Sequence, residues 1–143
     1  MTSVVERLKA DPLRGVVALI SAVTVLSGVF QLVLPGVVLD LLSAESTATT
    51  RHFFAIVGMF MAVIGGVTLH ALLTEPTPAY VLLWSATQKA GAFVAVTVGV
   101  TRDLFAGYAM AVALFDLATA VLAALLWHRL RGAVPADRQA VRT

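Results

Sequence analysis

Lys89 and Asp116 are the residues of this chain from which chemistry could come. Each stands inside an apolar run. Lys89 lies in "YVLLWSATQKAGAFVAVTVGV" and Asp116 in "ALFDLATAVL". A lone charge at the centre of a membrane helix costs at least about 2.5–3.5 kcal/mol. Two opposite charges at one depth on neighbouring helices remove that cost by pairing, as ions or as a neutral hydrogen-bonded couple. Such a pair can hold a polar ligand or pass a proton. It can equally be a clasp that sets the register of two helices. The sequence leaves both roles open. Gln88 and Ser85 accompany Lys89 on its segment, and Thr24 and Gln31 form part of a polar stripe on another. These six residues are the candidate ligand-binding set. Serine and threonine in membrane helices also bond their own backbone, so a hydroxyl such as that of Thr24 has a structural role open to it as well.

Other chemistries find no support. The chain has no cysteine, which removes disulfides, thiolate nucleophiles and Cys-ligated metals. His52, His70 and His128 are scattered, with no i, i+4 pair to hold a metal. Glycine clusters fall inside apolar segments, so no phosphate loop follows a strand, and no serine sits in a nucleophile elbow. Glu45 and Glu75 read as solvated loop residues. No residue is assigned as catalytic, and no cofactor is named. The net charge of +2, without basic residues clustered among aromatics, argues against nucleic acid as a partner.

The elements that must position these residues are membrane helices. Of 143 residues, 59% are hydrophobic and 13% charged. Soluble domains average about 45–50% and about 25%. A helix needs about 20 mostly apolar residues to cross the hydrocarbon core. Four stretches qualify, over about 15–34, 53–73, 79–100 and 104–127. The first is too long for a cleaved signal peptide and is read as a retained helix. Asp11 and Pro12 form a cap and first-residue pair, as do Thr77 and Pro78. Thr49 or Thr50 caps the second span, and Asp103 stands at a tight turn before the fourth. Short connections imply an all-α, antiparallel four-transmembrane-helix bundle in a single transmembrane domain. Residues 36–42 are too short to span and read as an interfacial turn of helix or an extended loop. Residues 132–143 read as a disordered tail.

Helical spacing then sorts the faces. Ala109, Ala113, Asp116, Ala120 and Ala123 make one small-residue face with Asp116 in its middle. Ser85, Lys89, Ala92, Val96 and Gly99 make a similar face on the third span. Gly58, Ala62 and Gly65 or Gly66 do so on the second, and Ser21, Thr24, Gly28 and Gln31 form an inward polar stripe on the first. Lys89 and Asp116 fall at similar distances from the ends of consecutive antiparallel spans, both near mid-membrane. They are therefore expected to be direct partners.

Several stretches resemble the DoxX-like superfamily of small bacterial four-helix membrane proteins. They are "RHFFAIVGMFMAVIGG", "LLWSATQKAGA" and "ALFDLATAVL". The resemblance covers about residues 14–131, and its most specific elements are Trp84 followed by Lys89, and Asp116 on the last span. It implies a four-helix fold and an accessory role linked to oxidoreductases or quinone metabolism. Without cysteines, any thiol-based version of that role is closed to this chain. The reading is an integral membrane accessory or small-ligand-binding protein, more a binder than an enzyme, with Lys89 and Asp116 as a mid-membrane polar site. The alternatives are a proton-coupled transporter acting as a homodimer, and a membrane enzyme acting on a lipid or quinone. The expected partners are the bilayer, a lipid or quinone ligand, and a membrane-protein partner or a second copy of the chain.

Orientation follows from basic residues. Arg7, Lys9 and Arg14 precede the first span, and Arg129, Arg131, Arg138 and Arg142 follow or end the last. The loop between spans two and three has none, and the two opposite loops have Arg51 and Arg102 alone. The positive-inside rule puts both termini in the cytoplasm, with the inner (plasma) membrane as the location. Trp127, His128, Tyr80 and Trp84 then belong to the cytoplasmic interface. A C-terminal fusion to a phosphatase that works only outside the cytoplasm should be silent, and a C-terminal fluorescent fusion should be bright. Phosphatase activity from that fusion would reverse the orientation.

Overall fold

The computed structural model describes residues 4–132. The tail expected to be disordered falls almost wholly in 133–143, outside the described residues. A short helix α1, Val4–Ala10, leads into α2, Pro12–Val33. Asp11 caps α2 as its residue type demands. It is extended, and its carboxylate accepts the Arg14 backbone N–H at 3.3 Å, while Pro12 opens the helix without a donor to satisfy. Leu34 precedes a proline and leaves helical geometry there. The segment after it is helical: α3 spans Pro35–Leu41.

The other three long helices depart from the sequence boundaries for local reasons. Helix α4, Ala48–Leu73, begins five residues before the expected 53. Its cap is Thr47, not Thr49 or Thr50. The Thr47 hydroxyl accepts the Thr50 N–H at 3.1 Å, and the Thr50 hydroxyl accepts the Thr47 N–H at 2.8 Å. Helix α5, Ala79–Thr101, has Pro78 at its cap position without a side-chain bond, so Thr77 does not cap it. Asp103 takes a left-handed φ of 57°, and the Leu104 N–H reaches back to the Gly99 carbonyl at 2.9 Å. That closing motif turns the chain off α5. Leu104 to Ala106 therefore lie outside any helix. A 3-10 turn, Gly107–Ala109, leads into α6, Met110–Arg131, so the fourth span runs later than the expected 104–127.

The four long helices pack antiparallel, and all are long and apolar enough to cross a membrane. The large apolar side chains point outward: Leu19, Leu26, Phe53, Phe60 and Val121 are among those exposed. This inversion is what a bilayer solvent requires, since lipid tails are as apolar as leucine. The protein is a multi-pass membrane protein.

Packing is close in two pairs, α2 with α4 and α5 with α6. In the first pair the backbones nearly touch. A Cβ on Gly28 would lie 2.6 Å from the Ala62 nitrogen and the Gly58 oxygen, and one on Gly58 would lie 2.7 Å from the Gly28 oxygen. Gly65 meets the Ser21 backbone, whereas Gly66 faces open space. The polar stripe of the first span thus lies on the small-residue face of the second, with Gly65 as its member. In the second pair Ala109, Ala113, Asp116, Ala120 and Ala123 are all buried, and Ser85, Lys89 and Gly99 are buried opposite. Ala92 and Val96 are only half-buried.

The two pairs are tied at both ends of the bundle. At the end holding the first residue of α2, Val17, Ala18, Leu72, Leu82 and Leu126 form one core cluster that joins all four helices. At the other end the Tyr108 hydroxyl donates to the Leu41 carbonyl, and the Ala106 N–H to the Leu42 carbonyl at 3.0 Å.

The glycine contact sets a sharp test. Gly28→Ala and Gly58→Ala each force two backbones apart and should lower stability by about 1–3 kcal/mol, the usual penalty of overpacking. Gly66→Ala meets nothing and should be neutral or slightly stabilising. Thermal unfolding in detergent measures all three, and equal shifts would refute the α2–α4 approach.

Candidate functional site

The Lys89 ammonium donates to Asp116 Oδ1 at 2.6 Å. Lys89 is 4% exposed and Asp116 7%. The expected partnership therefore exists as a buried ion pair between α5 and α6. Local sequence explains the approach. Ala113 and Ala120 sit about one turn to either side of Asp116, so nothing bulky holds α5 away from the carboxylate. Asp116 lies about two turns into α6, whereas Lys89 lies about three turns from the end of α5. The non-helical residues between the two helices and the long lysine stem make up that offset.

The pair is incompletely satisfied by protein. An ammonium has three donors, and a carboxylate two acceptor oxygens. Among the described residues, Lys89 has one hydrogen bond, to Asp116, and a ring contact with Phe115 at 5.8 Å from the centroid. Asp116 Oδ2 accepts from no described residue. The nearby Thr119 hydroxyl donates instead to the Phe115 carbonyl at 2.8 Å. A buried ion pair offsets its desolvation well only when further hydrogen bonds serve its remaining donors and lone pairs. The site therefore offers two N–H donors and a carboxylate oxygen in a low-dielectric setting.

The other four candidates are dispersed. Ser85 is buried one turn before Lys89 on the same side of α5. Gln88 is half-buried, and no described residue takes a bond from its amide. Thr24 is buried on the α2 stripe that meets α4. Gln31 is also buried on α2, and its amide donates to the Phe54 carbonyl of α4 at 2.9 Å. That bond ties two helices near the Tyr108 end of the bundle, away from the ion pair. His52, His70 and His128 are exposed, and among the described residues no three metal-ligating side chains gather.

A second polar centre lies at the end where α2 begins. Arg14 is 9% exposed. Its Nε and Nη2 both donate to the Leu72 carbonyl, at 3.0 and 2.7 Å, and Nη2 also donates to the Thr77 hydroxyl at 2.6 Å. Glu75 completes the group, 2.9 Å from Arg14. Glu75 is thus paired rather than simply solvated, and Thr77 serves the guanidinium rather than capping α5. The physical reason is the end of α4: its last carbonyls lack helical partners, and a fork of donors there serves them and the negative end of the helix dipole. Sequence reasoning counted Arg14 as a topology charge. The available signal was an arginine one turn inside an apolar helix, facing a Glu- and Thr-bearing loop at the same membrane end. Asp11 and Arg129 add an outer contact at 3.4 Å, largely exposed and worth little.

Compared with family models, with curated proteins and with solved structures, the chain matches none. Fold and site together define its class: a four-span membrane protein with a buried Lys–Asp ion pair inside its second helical hairpin.

Removing one partner strands a charge. Lys89→Met and Asp116→Leu should each cost about 3–5 kcal/mol, and the double variant should recover much of that loss. A double-mutant cycle by unfolding in detergent measures the coupling. Strict additivity would mean that the two groups do not interact.

Proposed function

We propose that this protein binds a small ligand with a polar head within the membrane, holding the head at Lys89 and Asp116. The observation that carries the reading is the unfilled hydrogen-bonding capacity of a deeply buried pair. A ligand oxygen can accept from the ammonium while a ligand hydroxyl or amine donates to Asp116 Oδ2. Both bonds gain strength in a medium without competing water. Ser85 and Gln88 flank Lys89 and supply neutral polar contacts. Gln31 donates its amide to the Phe54 carbonyl of α4, and Thr24 lies on the same stripe of α2, so neither is part of the site proposed at the α5–α6 pair.

The resemblance of the three quoted stretches to DoxX-like proteins supports an accessory role in redox or quinone metabolism. The bias of arginine and lysine supports cytoplasmic termini in the inner membrane. A second reading rests on the same pair. The 2.6 Å bond between the small-residue face of α5 and the alanine-rich face of α6 would suit a clasp that fixes helix register without any ligand.

Mass spectrometry of the intact protein after mild extraction separates the two. The wild type should carry a small molecule of defined mass. The Lys89→Met/Asp116→Leu double variant, once shown to be folded, should lose it. A folded double variant that keeps the same bound species, or a wild type that carries none, would favour the clasp.

A further inference from the structure

Lys89 and Asp116 cancel each other's charge and leave hydrogen-bonding capacity of two opposite kinds. The ammonium keeps donors beyond its bond to Oδ1, and Oδ2 accepts from no described residue. An occupant that uses both must offer an acceptor and a donor side by side. A hydroxyl offers them on one oxygen. That oxygen accepts from Lys89 Nζ and gives its hydrogen to Oδ2, closing a ring with the 2.6 Å Nζ–Oδ1 bond. A ketone or an ether serves the ammonium and leaves Oδ2 unserved. A charged head brings a third charge to a pair that is already neutral. Lys89 is the only charged residue of α5, and the other charges of α6 stand in its last turn. A third charge would therefore be desolvated without a counter-ion.

The packing around the pair decides the direction of approach. About two turns before Lys89 on α5, Leu82 belongs to the core cluster with Val17, Ala18, Leu72 and Leu126, which closes the end where α2 begins. About three turns after Lys89, the Phe105 ring packs on Gly99 and fills the place of a side chain there. Ala109 and Ala113 are fully buried on the facing part of α6. Both lengthwise routes to an aqueous face are thus apolar and packed. On the lipid-facing side, Phe115 is 45% exposed, and its ring centroid is 5.8 Å from Lys89 Nζ. The bilayer core is the nearest medium to the pair.

We infer that the ligand of this site is a neutral, membrane-dissolved molecule with a hydroxyl head, taken laterally from the hydrocarbon core past Phe115. The inference rests on the reading of Lys89 and Asp116 as a ligand site and names the chemical class that the site selects. Carbonyl-only, anionic and cationic amphiphiles of the same length are rejected.

Difference infrared spectroscopy of the full chain in phosphatidylcholine nanodiscs tests the class. Titrated 1-decanol should change the carboxylate stretch of Asp116 saturably. The Lys89→Met/Asp116→Leu variant, once shown to be folded, should lack that band. 2-Decanone, which accepts but cannot donate, should need an about ten- to hundredfold higher mole fraction for half-saturation, as loss of one hydrogen bond to a charged group requires. Decane, decanesulfonate and decylammonium should give no saturable band. A ketone that binds as well as the alcohol would overturn the need for a donor. A charged probe that binds as well would overturn neutrality. Either result leaves the pair standing as a ligand site. The same saturable band in the folded double variant would overturn the location. A wild type that retains a molecule of defined mass at the pair, yet responds to none of the probes, would overturn the class alone. A wild type that shows neither would overturn the ligand-site reading with it.

Discussion

A bilayer gives a helix bundle neither water to satisfy polar groups nor a hydrophobic drive to bring helices together. Every feature of this chain answers that constraint. Most bulky apolar side chains face outward, and outside the leucine cluster at one end the closest contact between helices is left to residues small enough for backbones to touch. Gly28 and Gly58 show this most directly, since neither position has room for a methyl group. Buried polar side chains must find partners inside the protein. Gln31 donates to a carbonyl of α4, most buried hydroxyls turn back on their own helix, and Arg14 serves the end of α4.

The polar ties are unevenly distributed along the bundle. Arg14, Glu75 and Thr77 bind the start of α2 to the α4–α5 connection at one end. Tyr108 and Ala106 bind the last residue of α3 and the one after it at the other. Between those ends each helix packs closely with one partner and loosely with the rest. The ion pair lies within one close pair, whereas the α4–α5 and α2–α6 seams pack loosely alike.

Much of this was legible in the sequence because membrane helices announce themselves. Length and hydropathy mark the four spans, and a period of 3.6 residues sorts small and polar residues to one side. The partnership of Lys89 with Asp116 followed from opposite charge, similar depth on consecutive spans and small-residue faces, since an unpaired charge at that depth is costly. Helix ends were less legible. Thr47 and Thr50 form a reciprocal pair that no apolar count detects, and Asp103 leaves α5 in a left-handed turn that delays α6. The bonding of Arg14 was missed because a basic residue at a helix end can serve topology and a helix terminus with the same side chain.

The sequence by itself determined the class of protein, the antiparallel order of its helices and the identity of the buried pair. Each rests on a cost so large, or a pattern so repetitive, that neighbours cannot overrule it. The tertiary structure decided which helices pack closely, whether Gly65 or Gly66 meets α2, and which polar side chains use their bonds within the fold. Those outcomes depend on distances of a few tenths of an ångström between segments far apart in the chain. No local pattern carries that information. It also decided that the Ser21 hydroxyl bonds its own helix while those of Thr24 and Ser85 have no partner among the described residues.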